Sequence, residues 1–199
     1  MDGDPFYLAY LIKKLKKYNL WKDFPKPQTV IHAYEFCTRN VSKFLRQELA
    51  CPIINLFGST ELGFLFSTSE NIGLRSYHKD LKLELQRVSS KENIFSLIIT
   101  SFRNPYMPLI RYRSGDCVET SDNSTDCDKI VRVCGREREL LRLENGRCFS
   151  HANVDDLIHQ IAQNIFLYQL DKKEKEIILN YTTFDDLALN LKEKSLLEN

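Results

Sequence analysis

Ile53-Ile54-Asn55-Leu56-Phe57-Gly58-Ser59-Thr60-Glu61-Leu62-Gly63 is the stretch on which the fold reading turns. Its first five residues are apolar except for Asn55 and open on a β-branched pair, the signature of a short buried strand; the strand then runs straight into Gly58. Upstream, Pro52 breaks the chain. Val41, Phe44, Leu45 and Leu49 recur at helical spacing within Arg39 to Leu49, and Thr29 to Ala33 reads as another short buried strand after a Lys26-Pro27 loop. Strand, helix and strand in that order predict a βαβ unit with a parallel sheet. Sites in such sheets lie beyond the carboxyl ends of the strands, so the turn after Phe57 is the first place to look.

At the amino terminus, Pro5 opens a segment whose Leu8, Leu11, Ile12, Leu15 and Tyr18 fall at helical spacing. Lys13, Lys14, Lys16 and Lys17 are expected on the other side, either as a solvated face or as a patch for a membrane or an acidic partner. Beyond residue 80, Leu81, Leu83 and Leu85 alternate with Lys82, Glu84 and Gln86, as in a half-buried strand. Phe95 to Ser101 and Ile130 to Val133 read as further strands, with Pro105, Pro108 and Gly115 punctuating the interval. After Cys134-Gly135 the pattern changes to a Gly146 turn, a helix near Val154 to Ile165, a strand at Glu176 to Tyr181 and a helix starting near Phe184. The expected fold class is mixed α/β: a βαβ segment (1–80) and a β-rich part (81–134), then a small α+β domain (135–199).

Composition narrows the function classes. A net charge of +1, from 28 basic and 27 acidic side chains, argues against a nucleic-acid partner held by phosphate neutralisation. The longest apolar opening, Phe6 to Ile12, is far shorter than the ~20 residues of a membrane span. Its flanks are reversed for a secretory signal, so a cytoplasmic location is expected. The six cysteines (Cys37, Cys51, Cys117, Cys127, Cys134, Cys148) include no C-x-x-C pair, which disfavours a disulfide framework or zinc site.

Three constellations carry candidate chemistry. In Phe57-Gly58-Ser59-Thr60-Glu61-Leu62-Gly63, a glycine lets backbone approach a ligand, and hydroxyls beside a carboxylate suit phosphate with its magnesium. Phe57 offers an aromatic face for a planar base. Read as structure alone, the same residues are a strand-to-turn sequence. In Pro108-Leu109-Ile110-Arg111-Tyr112-Arg113-Ser114-Gly115-Asp116, the final aspartate can accept hydrogen bonds from two vicinal ribose hydroxyls; the plain alternative is a Ser-Gly-Asp turn with solvated arginines. In Gly135-Arg136-Glu137-Arg138-Glu139, Arg136 can fork onto ribose or phosphate oxygens, or belong to a surface ion-pair cluster.

In this order the three resemble the motif set of the adenylate-forming superfamily. The Arg-Tyr-Arg form of the second is similar to the phenylacetate–CoA ligase branch, which includes CapK-like proteins. Two weaker matches agree, Ala33-Tyr34-Glu35 beside the nucleotide and Leu167-Tyr168-Gln169-Leu170 at a strand entry. The resemblance implies ATP-dependent activation of a carboxylic acid as an acyl-adenylate, followed by transfer to a thiol. It implies Thr60 on phosphate, Glu61 on Mg2+, Gly58 and Ser59 in the turn around the nucleotide, Phe57 on adenine, Asp116 on ribose and Arg136 on ribose or phosphate.

The sequence departs from that pattern in places. A Ser/Thr/Gly-rich phosphate loop and a catalytic lysine in Gly-Lys context are not found; Lys192 and Lys194 lack that context. Arg138 stands where the family's hinge is usually aspartate. Some relatives carry zinc ligands after the Ser-Thr-Glu turn, but no cysteine lies between Leu62 and His78, so no zinc is expected. The chain alone is therefore expected to be inactive or nearly so, as an excised fragment, a split-gene product or a natural half that works with a complementary upstream chain. The alternative is a non-catalytic homologue serving as a nucleotide-binding or protein-interaction module.

Overall fold

β1 (Asp2–Gly3) pairs in parallel with β2 (Val30–His32), and β2 in parallel with β3 (Ile53–Ser59). The connections carry helices α1 (Pro5–Lys17) and α2 (Arg39–Leu49), so the expected strand, helix, strand order is present, with a second copy ahead of it. This computed structural model describes residues 1–33, 35–69, 73–76, 80–89, 92–173 and 176–198. Tyr34, from the Ala33-Tyr34-Glu35 match, and His78 lie outside them.

The chain folds as two compact units. The first comprises Met1–Asp4, Pro27–Phe36 and Cys51–Val154. Its first sheet continues from β3 into β4 (Gly63–Ser69) and β5 (Gly73–Ser76), both antiparallel. Its second sheet is an antiparallel meander of β6 (Leu81–Arg87), β7 (Phe95–Ser101), β8 (Leu109–Thr120) and β9 (Ile130–Arg136). One core serves both sheets: Leu62, Leu65 and Phe66 from the first pack with Phe95, Leu97, Ile99 and Val118 from the second.

β8 is longer than its sequence suggests, because two irregularities let it bend without breaking. Arg111 (φ 49°) lies where the β7–β8 register shifts, its amide donating to the Thr100 hydroxyl at 3.0 Å. Ser114-Gly115 forms the second shift, with Gly115 at φ 78°. Bulges of this kind re-aim side chains at sheet rims. β9 likewise runs through Gly135 to Arg136. A short hairpin of β10 (Leu141–Arg142) and β11 (Cys148–Phe149) follows around Gly146. Helix α3 (His151–Ile161) starts earlier than the sequence spacing suggests, because Ser150 and Asn153 cap it reciprocally.

The second unit comprises Pro5–Lys26, Cys37–Ala50 and Asp155–Asn199. In α2, Thr38 accepts from the Val41 amide, left-handed Ala50 ends the helix, and Val41, Leu45 and Leu49 form the buried stripe. In α1 the buried stripe is Pro5, Leu8, Ala9 and Ile12, while Leu11 and Tyr18, expected inside, are 37% and 64% exposed. The small Ala9 takes the buried position that spacing had assigned to a larger neighbour. The helix then ends in a Schellman turn, Leu20 amide to Leu15 carbonyl at 2.8 Å with Asn19 at φ 59°, which puts Tyr18 outside it. Lys13 also leaves the expected solvated face: its Nζ donates to the Thr183 carbonyl and pairs with Asp186, both at 3.1 Å, over the Phe166 ring.

The helix expected to reach Ile165 ends at Ile161, and residues 165–172, which include the strand-entry match Leu167-Tyr168-Gln169-Leu170, follow as a separate element. They form strand β12 (Ile165–Lys172), paired antiparallel with β13 (Ile177–Thr183). The helix expected from Phe184 is α4 (Leu191–Glu198), set by an Asn190–Glu193 capping box. No helix among the described residues is long and apolar enough to cross a membrane.

Candidate functional site

The turn singled out in the sequence is a tight hairpin. Ser59 pairs with Gly63 across β3–β4, the Leu62 amide donates to the Ser59 carbonyl at 3.3 Å, and Gly63 sits at φ 68°. With Ser59 and Gly63 paired, Thr60, Glu61 and Leu62 form a three-residue tip, and left-handed Gly63 turns the chain into β4. Leu62 is 3% exposed and plugs the tip into the core, which leaves Thr60 exposed and Glu61 half-buried. The Arg103 guanidinium donates to the Leu62 carbonyl at 3.3 Å.

Gly58 has a reason internal to the fold. A Cβ there would lie 2.1 Å from the Gly63 carbonyl oxygen, so the two strands close only around a glycine. The sequence reading gave that glycine to a ligand; the hairpin itself needs it. Phe57 packs on the core, its ring centroid 6.0 Å from that of Phe66.

From the second sheet, β8 brings two residues toward this tip. Tyr112 donates its hydroxyl to Glu61 Oε1 at 2.8 Å. Asp116, 3% exposed, pairs in register with Arg136 of β9, and Arg136 Nη1 lies 3.1 Å from Asp116 Oδ1 and 3.1 Å from the Ser114 carbonyl. Glu61, Tyr112 and Asp116 each feel the charge of Arg136. Three of the expected site residues, Glu61, Asp116 and Arg136, thus share one locality.

The local charges follow from these contacts. Glu61 is held below the usual carboxylate value, chiefly by its own backbone amide and then by the Tyr112 hydroxyl and the charge of Arg136. Asp116 is shifted upward because burial outweighs the relief from Arg136 and Ser114. Tyr112 is raised by its bond to Glu61. Two carboxylates against one guanidinium leave a negative locality when ionised, suited to a cation or to hydroxyl donors. Among the described residues, no group of three or more His, Cys, Asp or Glu is placed to hold a metal ion.

Tyr112 carried no individual role in the sequence reading. Its signal was the alternation in Arg111-Tyr112-Arg113, which places the tyrosine between two arginines that turn elsewhere. Those arginines are paired rather than merely solvated: Arg111 lies 3.3 Å from Glu84, and Arg113 forks onto Glu137 at 2.7 and 3.0 Å, with Ser96 joining the group. Just before Arg136, Gly135 adopts φ 113°, and a Cβ there would meet the His151 Cβ at 2.9 Å. His151 stacks on Phe36 at 4.4 Å, and burial lowers its pKa.

No protein-family model matches the chain. It is 27% identical over 144 residues to protein CapK of Staphylococcus aureus, an alignment covering 69% of this chain and 31% of CapK. Its fold is similar to 2-hydroxyisobutyryl-CoA ligase solved in the postadenylation state with R3-HIB-AMP (TM-score 0.69, 15% identity, covering 92% of this chain and 42% of that one). Coronafacic acid ligase from Pectobacterium brasiliense gives a TM-score of 0.67 at 16% identity, over 99% of this chain and 42% of that one. Anthranilate CoA ligase AuaEII in complex with anthranoyl-AMP gives 0.69 at 13%, over 99% and 41%. The chain thus spans less than half the length of these solved ligases and under a third of CapK. It carries the fold of the adenylate-forming ligases over that part of their length.

Proposed function

We propose that this chain is part of an ATP-dependent acid–thiol ligase that activates a carboxylic acid as its acyl-adenylate. The observation that supports this best is that Tyr112 of β8 bonds Glu61 at the hairpin tip while Arg136, paired with Asp116 beside the Ser114-Gly115 bulge, also acts on Glu61 by its charge. In this reading Asp116 accepts the two ribose hydroxyls and Arg136 shares them or turns to phosphate. Phe57 flanks the adenine, Thr60 offers its hydroxyl to phosphate, and Gly58 and Ser59 form the turn beneath it. Carboxylate attack on the α-phosphorus forms the new P–O bond, and pyrophosphate leaves with the electron pair of the bond that breaks.

Glu61 fits a magnesium ligand: it is an oxygen donor held ionised, half-exposed, with Tyr112 engaging one carboxylate oxygen. When bound, magnesium would neutralise the charge that builds on the phosphate oxygens. The role of the chain's own residues is to orient the nucleotide and hold the tip still.

Residues 1–134 would then be the carboxyl-terminal portion of a large domain, with 135–199 part of a mobile small one and Arg138 at the hinge. The thiol acceptor, the complementary chain and a cytoplasmic location belong to the same proposal. Isothermal titration of the full chain with AMP and with ATP plus magnesium tests it. Binding that Asp116→Ala abolishes is the expected result; no heat with any nucleotide favours a non-catalytic protein-interaction module.

A further inference from the structure

A carboxylate at the tip of a three-residue hairpin has rotamers to spare, and conformational freedom weakens any cation site that must first immobilise its ligand. Here the freedom is already restricted. Tyr112 Oη donates to Glu61 Oε1 at 2.8 Å, while the Tyr112 ring packs on the same core cluster that holds Leu62, the next residue along the loop. The Arg103 bond to the Leu62 carbonyl steadies the backbone beside it.

The kind of donor matters as much as its position. The guanidinium of Arg136 lies on Asp116, where it offsets a buried charge, and the group that touches Glu61 directly is a neutral phenol. A neutral donor orients a carboxylate without cancelling its charge, and it engages one oxygen while leaving the other for a cation. An arginine fork would occupy both. Such outer partners usually set ligand orientation and affinity in metal sites.

We propose that Tyr112 is the positioning residue for Glu61: it fixes Oε1 so that Oε2 is presented to the divalent ion accompanying a bound nucleotide. This rests on the nucleotide reading above. The test is Mn2+ binding to the full chain, followed by electron paramagnetic resonance with ATP present, alongside AMP affinity measured without metal. Tyr112→Phe keeps the packed ring and removes only the donor. It should weaken Mn2+ binding by about tenfold to a hundredfold, leave metal-free AMP affinity within about twofold, and add nothing in a Glu61→Gln background. Wild-type Mn2+ affinity in Tyr112→Phe overturns the positioning role alone, as does an equal loss of metal-free AMP binding, which would make Tyr112 a nucleotide contact. Metal-free AMP binding with no Mn2+ binding in the wild type removes the cation site, and the positioning role with it. Failure of AMP and ATP to bind at all overturns the nucleotide reading and this inference together.

Discussion

Gly58 and Gly63 close the β3–β4 hairpin in different ways: Gly58 supplies space, and Gly63 supplies a left-handed backbone. A methyl on Gly58 would sit 2.1 Å from the Gly63 carbonyl oxygen, whereas Gly63 has only the Arg103 guanidinium within 4.0 Å of its own missing Cβ. Gly58→Ala must therefore spread β3 from β4, which carries Leu65 and Phe66 into the core, and it should lower stability by about 3 kcal/mol. Gly63→Ala strains one residue at φ 68° and should cost about 1–2 kcal/mol. Urea denaturation of the two variants checks the order; a Gly58→Ala protein as stable as Gly63→Ala would contradict it.

The Asp116–Arg136 pair predicts a pH-dependent variant. Asp116 is already raised above the ordinary carboxylate value by burial, and Arg136 offsets part of that. Arg136→Met removes the offset, so near neutral pH it should destabilise by about 1–2 kcal/mol, a figure discounted because the guanidinium is half-exposed. In acid, well below the carboxylate range, Asp116 is neutral in both the folded and unfolded states, and the penalty should disappear. Denaturation curves at the two pH values decide it.

Asp155 makes a larger prediction of the same sign. It is 2% exposed, accepts from the Arg39 amide at 2.8 Å at the start of α2, and burial pushes its pKa up to about 6. A folded pKa above the unfolded value means that stability is full below about pH 4 and falls as pH rises through about 6, by on the order of 2–3 kcal/mol. Asp155→Asn keeps an acceptor for the Arg39 amide and removes the charge. Its stability should be flat across that window while the wild type declines, as measured by urea midpoints at successive pH values.

The lysines of α1 should separate on mutation. Lys13→Ala loses two 3.1 Å contacts, to Thr183 and Asp186, and the Phe166 face, so a loss of about 1–2 kcal/mol is expected. Lys17→Ala, at an exposed position, should change stability by less than about 0.5 kcal/mol. Equal effects in thermal melts would mean that Lys13 contributes no more than a surface charge.

How much of this was legible in the sequence depended on the range of the interaction. The β2, α2, β3 order followed from local periodicity and from Pro52, and the structure has it. The start of β12 was assigned to the helix because Ile165 and Phe166 continue the apolar pattern of α3. Where the helix ends, the Ala162 carbonyl accepts from the Asn40 side chain of α2 at 3.0 Å, a partner that local spacing does not reveal. In α1 the spacing named a stripe, but Ala9, too small to register, sits at its centre. At the site, motif order singled out Glu61, Asp116 and Arg136; alternation set Tyr112 apart from its flanking arginines, but its partner Glu61, 51 positions away, could not be read from it.

The two compact units are threaded through each other along the sequence: each is assembled from three separate stretches, so the backbone crosses from one to the other five times. No single cleavage or stop codon can release either unit whole. A truncation after Val154 would strip α1 and α2 of the β12–β13 hairpin, and one before Pro27 would take β1 from the sheet that carries Glu61. Engineering on this scaffold must therefore proceed by point substitution or by loop grafting, never by trimming to a minimal lobe.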